Sequence, residues 1–174
     1  MQVIELPGPP TEVQSVSFAP DGRLLAVRGY GHVFLLDTLT GAAQRFWAAA
    51  SAYALSGTVA GFTADGGGIV LWHTWGEQNE VTVHALDTAA PLRELSLAGR
   101  GECECALGPG GRFVYVLAGA FSSGLTFLHR WNPLSGEEAP VLGRVQNGAR
   151  RFAVSADEHW LAVAGGGMVW VWSL

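Results

Sequence analysis

Lysine is absent from this chain: all ten basic residues are arginine, set against fifteen Asp and Glu for a net charge of −5. A mildly acidic domain without a basic stripe lacks the electrostatic footprint for phosphate backbones or anionic lipid, so neither nucleic acid nor a membrane surface is an expected partner. The all-arginine usage reads as codon bias of a GC-rich bacterial genome. Cysteine is scarce too, with only Cys103 and Cys105. Their Cys-Glu-Cys spacing points both side chains the same way along a strand and is not the C-x-x-C of a zinc site or thioredoxin-like centre. No apolar run approaches ~18 residues. No basic stretch with an apolar core and small-residue cleavage site opens the chain. A soluble, cytoplasmic protein is the expectation. Charged residues make up just 14% against 49% apolar, which excludes a disordered chain.

Catalytic signatures are equally sparse. There is no Gly-x-Ser-x-Gly elbow; Phe121-Ser122-Ser123-Gly124 reads as a hairpin turn. Gly66-Gly67-Gly68 and Gly165-Gly166-Gly167 read as turn glycines, because phosphate cradles open a helix and usually bring a Lys. The five histidines, His32, His73, His84, His129 and His159, fall in different turns and strands. They are expected at surfaces or edges and not as metal ligands.

What is abundant is glycine, 24 residues, which supplies the positive φ of tight turns and implies many short elements. Those turns recur. Phe18-Ala19-Pro20-Asp21-Gly22-Arg23-Leu24-Leu25-Ala26-Val27 is echoed by Phe62-Thr63-Ala64-Asp65-Gly66, by Leu107-Gly108-Pro109-Gly110-Gly111-Arg112-Phe113 and by Val154-Ser155-Ala156-Asp157-Glu158. The markers Asp21, Asp65, Gly110 and Asp157 are separated by 44, 45 and 47 residues, so one repeat covers residues 1–174 as a single domain. Each copy holds a short strand, a Pro-Asp-Gly-type turn, an apolar strand, a Gly-rich turn and an alternating strand such as Val33–Thr38 or Met168–Ser173. Outer strands are expected at Ala43–Trp47, Leu92–Leu97 and Ala139–Leu142, with one or two helical turns between Trp47 and Leu55 as the alternative to strand there. Four antiparallel strands in ~45 residues are the unit of a β-propeller blade, so the fold class is all-β, four blades per chain. Cys105 lies in register with Val16 and Phe152, an apolar blade-core position where an inert buried thiol is expected.

The Phe-x-Pro-Asp-Gly-x-x-Leu-Ala pattern resembles the WD-repeat β-propellers, bacterial forms especially, over essentially the whole chain. The Trp-Asp position of that family is matched by Leu36-Asp37, Leu86-Asp87, Trp131-Asn132 and Trp172-Ser173. The Gly-His before the first strand is missing, as is the Asp before the third, where Tyr30 and Gly166 stand. The family's Asp-His-Ser/Thr-Trp hydrogen-bond network therefore cannot form. Val114-Tyr115-Val116 is similar to the lactonase-like propellers, which would imply a metal-dependent hydrolase with carboxylates lining the channel; that needs acidic or amide ligands on several innermost strands, and only Glu102 and Glu104 are near one.

The first residues, Gln2–Gly8, match the outer strand Arg93–Gly99, and the chain closes on a third strand, Trp170–Leu174. An N-terminal strand completing the last blade is the expectation, as WD-repeat rings close in this staggered way. A ring of four blades would splay each by ~90°, straining blade packing. Two chains forming one eight-bladed ring is the leading reading, beside a compact monomer or a fragment of a larger bacterial WD-repeat regulatory protein. Candidate partner contacts are Trp75 and Glu77 in a lengthened second-to-third-strand turn, Tyr30 in the corresponding turn of repeat one, and the basic doublet Arg150 and Arg151. No cofactor and no catalytic residue is expected; the function expected is a non-enzymatic protein-interaction scaffold, a homodimer that also binds an unknown protein.

Overall fold

In the computed structural model the described residues are 3, 6, 12–29, 31–48, 56–75, 78–96, 103–120, 125–139, 143–146, 149 and 151–174. Among them there is no helix, and none therefore long and apolar enough to cross a membrane. Strands β1 (Val13–Phe18), β2 (Leu24–Gly29), β3 (His32–Asp37) and β4 (Ala43–Ala48) form the first sheet. The second holds β5 (Ser56–Phe62), β6 (Gly68–Trp75), β7 (Gln78–Ala85) and β8 (Pro91–Ser96). The third holds β9 (Cys103–Leu107), β10 (Val114–Ala120), β11 (Leu125–Trp131) and β12 (Gly143–Gln146). Strands β13 (Arg151–Val154), β14 (Trp160–Gly165) and β15 (Met168–Ser173) form the fourth, three-stranded among the described residues. All four are antiparallel meanders.

The repeated turn is what closes each hairpin. Asp21, Asp65 and Asp157 each accept, on Oδ1, the backbone N–H two residues on (Arg23 2.9 Å, Gly67 3.0 Å, His159 3.1 Å), the Asx bond that pre-forms a turn. The carboxyls of Asp65 and Asp157 are held below the usual range, first by the hydroxyls of Thr63 and Ser155 and next by those N–H groups. The following residue lies in the left-handed region in every copy: Gly22, Gly66 and Gly111, but Glu158 in the fourth. Glu158 departs from glycine where its carboxylate accepts the backbone N–H of Gly110 at 2.9 Å, pinning the fourth sheet to the third.

The third sheet's outer strand is Gly143–Gln146, and Trp131 and Glu138 make an isolated bridge before it; of the strand expected at Ala139–Leu142, residues 140–142 lie outside the described residues. At Trp47 and Ala48 the chain is strand, paired with Val33 and His32; residues 49–55 lie outside the described residues.

The pairing also corrects one alignment. Leu36, Trp131 and Trp172 face Leu25, Val114 and Leu161, and the residue facing the equivalent Ile69 is His84. His84-Ala85, and not Leu86-Asp87, therefore stands at the Trp-Asp position of the second repeat. The turn that follows agrees: Asp37, Ala85 and Asn132 each take the N–H of the residue four positions on, namely Gly41, Ala89 and Gly136.

Successive side chains of a strand point to opposite faces, and consecutive apolar residues such as Val33-Phe34-Leu35-Leu36 and Ile69-Val70-Leu71 make both faces of a sheet apolar, so the core lies between sheets. Val33 and Leu35 of the first pack on Phe62, Ile69 and Leu71 of the second. Val70, Val81 and Val83 of the second pack on Cys105, Val116 and Trp131 of the third. Leu117 and Leu128 of the third pack on Leu161 and Val163 of the fourth. Cys105 is buried there, in the same register as Val16 and Phe152, opposite Val116, Val27 and Val163 respectively. Innermost strands are tied across sheets as well: Ser15 Oγ accepts the Val59 N–H at 2.9 Å, and the equivalent Glu104 accepts that of Phe152 at 3.1 Å. These bonds satisfy amide groups that a sheet edge would otherwise leave unpaired.

Ala89 stands with φ +57° where its counterparts are Gly41 and Gly136. A Cβ there costs roughly 1 kcal/mol. Ala89→Gly is expected to stabilise the chain by about that amount and to raise Tm by ~2–4 °C in thermal unfolding.

Candidate functional site

Of the residues that the sequence marks as partner contacts, Tyr30, Glu77 and Arg150 lie outside the described residues. Trp75 ends β6, its backbone paired with Gln78, and its side chain is likewise outside them. Arg151 opens β13, exposed, with its guanidinium 3.7 Å from Glu104. Glu104, the channel carboxylate a hydrolase would use, is thus engaged with Arg151 and the Phe152 N–H, and burial raises its pKa against both. No three His, Cys, Asp or Glu among the described residues converge as a metal would need. A cleft of about 190 Å³ opens beside Asp65, Leu92, Arg93 and Leu134. It is smaller than the ~300 Å³ at which small-molecule sites begin.

Three of the five histidines depart from the surface or edge positions expected: His73, His84 and His129 are buried, whereas His159 is exposed. His129 Nδ1 lies 3.0 Å from Glu138 Oε1. His73 and His84 belong to a polar chain between the first two sheets that the sequence does not reveal. Arg28, fully buried, places both terminal nitrogens 3.4 Å from His73 Nδ1. A guanidinium only donates, so Nδ1 accepts and Nε2–H donates to Thr82 Oγ1 at 3.2 Å. At the other end His84 Nδ1 faces the Ala89 carbonyl at 3.0 Å and must donate. Its Nε2 then accepts the Thr82 hydroxyl at 3.1 Å. All donors run one way, from Arg28 to the strained Ala89 turn. Burial, then the Arg28 charge, then His84, pushes His73 down to about 3. Arg28 is lowered by burial only to about 10 and stays charged at neutral pH.

The two end sheets expose what the inner sheets bury. Strand pairing makes Val33, Val81, Leu128 and Val169 one column and Leu35, Val83 and Val171 another, on the face each sheet turns forward along the chain. In the first three sheets the valines and leucines of these columns are buried; in the fourth, Val169 is 67% and Val171 60% exposed. Trp160 beside them is 54% exposed. On the rearward face of the first sheet, Val16 and Phe18 are 59% and 63% exposed, whereas Val59 and Phe62, their equivalents in the second, are buried. The outer part of that rearward face is covered: Val27, Phe34 and Leu36 are buried with Leu6 against them. Leu6 sits on the first sheet as Phe46, Leu95 and Val145, all from outermost strands, sit on the second, third and fourth.

Four sheets stacked face to face, innermost strand beside innermost strand, are matched in solved structures. TolB from Acinetobacter baumannii superposes with a TM-score of 0.69 at 18% identity, over 94% of this chain and 41% of that one. Kuenenia stuttgartiensis hydrazine synthase does so with a TM-score of 0.65 at 14% identity, over 87% and 43%. Both are β-propeller-type folds. The fold of the four antiparallel sheets is of β-propeller type. This chain spans less than half the length of either propeller. No protein-family model and no curated protein sequence matches it.

Because His73 titrates far below its ordinary value in the folded blades, the unfolded chain binds the extra proton, and stability is lost as pH falls from about 6.5 toward 3. The loss from this group is roughly 3 kcal/mol by pH 4. His73→Gln can still accept from Arg28 and donate to Thr82 without titrating. Denaturant unfolding at pH 7 and pH 4 is expected to show a smaller difference for this variant than for the parent chain.

Proposed function

We propose that this chain is a non-enzymatic protein-interaction scaffold of WD-like blades, bacterial and cytoplasmic, that associates with a second copy of itself. The observation that carries the reading is the bare forward face of the fourth blade. An apolar surface of Trp160, Val169 and Val171, where the preceding blades bury Val33, Val81 and Leu128 at the Val169 position and Leu35 and Val83 at the Val171 position, marks an interface. Full burial of each such side chain is worth roughly 1.5–3 kcal/mol. Among the described residues, Glu104 is engaged with Arg151 and Phe152, and His73 and His84 within the polar chain. A further protein would be met at the turns of the blades, where Tyr30, Trp75, Glu77, Arg150 and Arg151 stand in the sequence, since turns held on a rigid propeller present side chains to a partner. That part is proposed by analogy of fold.

Light scattering on a sizing column is expected to return twice the 18.4 kDa chain mass. A particle of the single-chain mass at micromolar concentration contradicts self-association.

A further inference from the structure

We infer that the two copies join head to tail, the forward face of the fourth blade of one on the rearward face of the first blade of the other, twice over, closing a ring of eight blades. The inference rests on the self-association proposed above and names the surfaces that make it. The chain carries its own template for the joint. Between the first and second blades, Ala26, Val33 and Leu35 meet Val59, Phe62, Ile69 and Leu71. The strand register makes Ala162, Val169 and Val171 the counterparts of the former set, and Val16, Phe18, Leu25 and Val27 the counterparts of the latter. Both counterpart surfaces sit on the same molecule, at opposite ends of the blade stack: Val169 and Val171 on one and Val16 and Phe18 on the other are bare where their counterparts are buried, while Val27 is already covered, with Leu6 against it. A second copy is therefore an occupant whose shape is already matched. No other interface geometry reuses the packing that the chain makes three times within itself.

Leu6 adds an independent mark. It covers the first blade where the outermost strand of a preceding blade would lie, and the fourth blade ends, among the described residues, at β15 without an outer neighbour. In the head-to-tail ring the preceding blade is the partner's fourth, so Leu6 lies on the side of that open strand. A blade-to-blade joint with unlike surfaces is heterologous, and two such joints close only if the four blades turn through half a circle. The alternative, fourth blade against fourth blade, would leave Val16 and Phe18 bare in the dimer.

The test is a charge-swap complementation on the full chain, at exposed positions that do not carry the fold. Val171→Asp alone and Phe18→Arg alone each spoil both joints of a ring, so each is expected to run at the single-chain mass. Mixed in equal amounts, they form one joint between Asp and Arg and one between the unaltered residues, and doubled mass is expected to return. Phe18→Arg alone keeping the doubled mass overturns the head-to-tail joint while leaving self-association standing. A parent chain larger than a dimer overturns ring closure. A parent chain at single mass overturns both readings, and the bare faces then belong against further blades of a longer polypeptide.

Discussion

A four-stranded sheet with alternating side chains has two apolar faces and no way to bury either by itself. Everything else in this molecule follows from that constraint. Each blade hides its forward face on the next blade and its rearward face on the one before, so three interfaces hold four blades and two faces are left over. The outer half of one of these is covered at Leu6. The face formed by Val169 and Val171 is not.

The interfaces are not alike in chemistry. Second and third blades meet through aliphatic side chains and Trp131. First and second blades bury an arginine and two histidines in a one-way hydrogen-bond chain, which demands a defined register because a displaced donor would be left unsatisfied in an apolar setting. Third and fourth blades are pinned at the rim by Glu158 and at the inner strand by Glu104. Where glycine is absent from the left-handed turn position, the substitute makes a bond that glycine could not: Glu158 reaches the neighbouring blade. Ala89 is different, since only its carbonyl is used, by His84.

Much of the architecture was legible. The Asp-Gly turns at Asp21 and Asp65 set the repeat, because the Asx bond and the left-handed residue act within two or three positions of each other. Cys105 could be placed in the core from the repeat register alone. The outer strand at Gly143–Gln146 begins beyond the apolar pair Val141-Leu142 that the sequence offers, and residues 140–142 lie outside the described residues. The second repeat was aligned two residues late because Leu86-Asp87 imitates Leu36-Asp37, and a histidine at a Trp position carries no visible signal. The candidate contacts Tyr30, Trp75 and Glu77 follow from turn length and aromatic character, and Tyr30, Glu77 and the side chain of Trp75 lie outside the described residues.

By itself, the sequence determined the strands, the turns and their period, since period-two alternation and turn chemistry are local and need no distant partner. It also determined that each blade has two apolar faces. Only the tertiary structure decided which of those faces are occupied: Val33 and Val169 stand in the same pattern of alternating residues, yet one is enclosed and the other bare. It alone brought Arg28 to His73 across 45 residues of chain. Alternation says that a side chain points out of the sheet, and only packing decides whether anything is there to meet it.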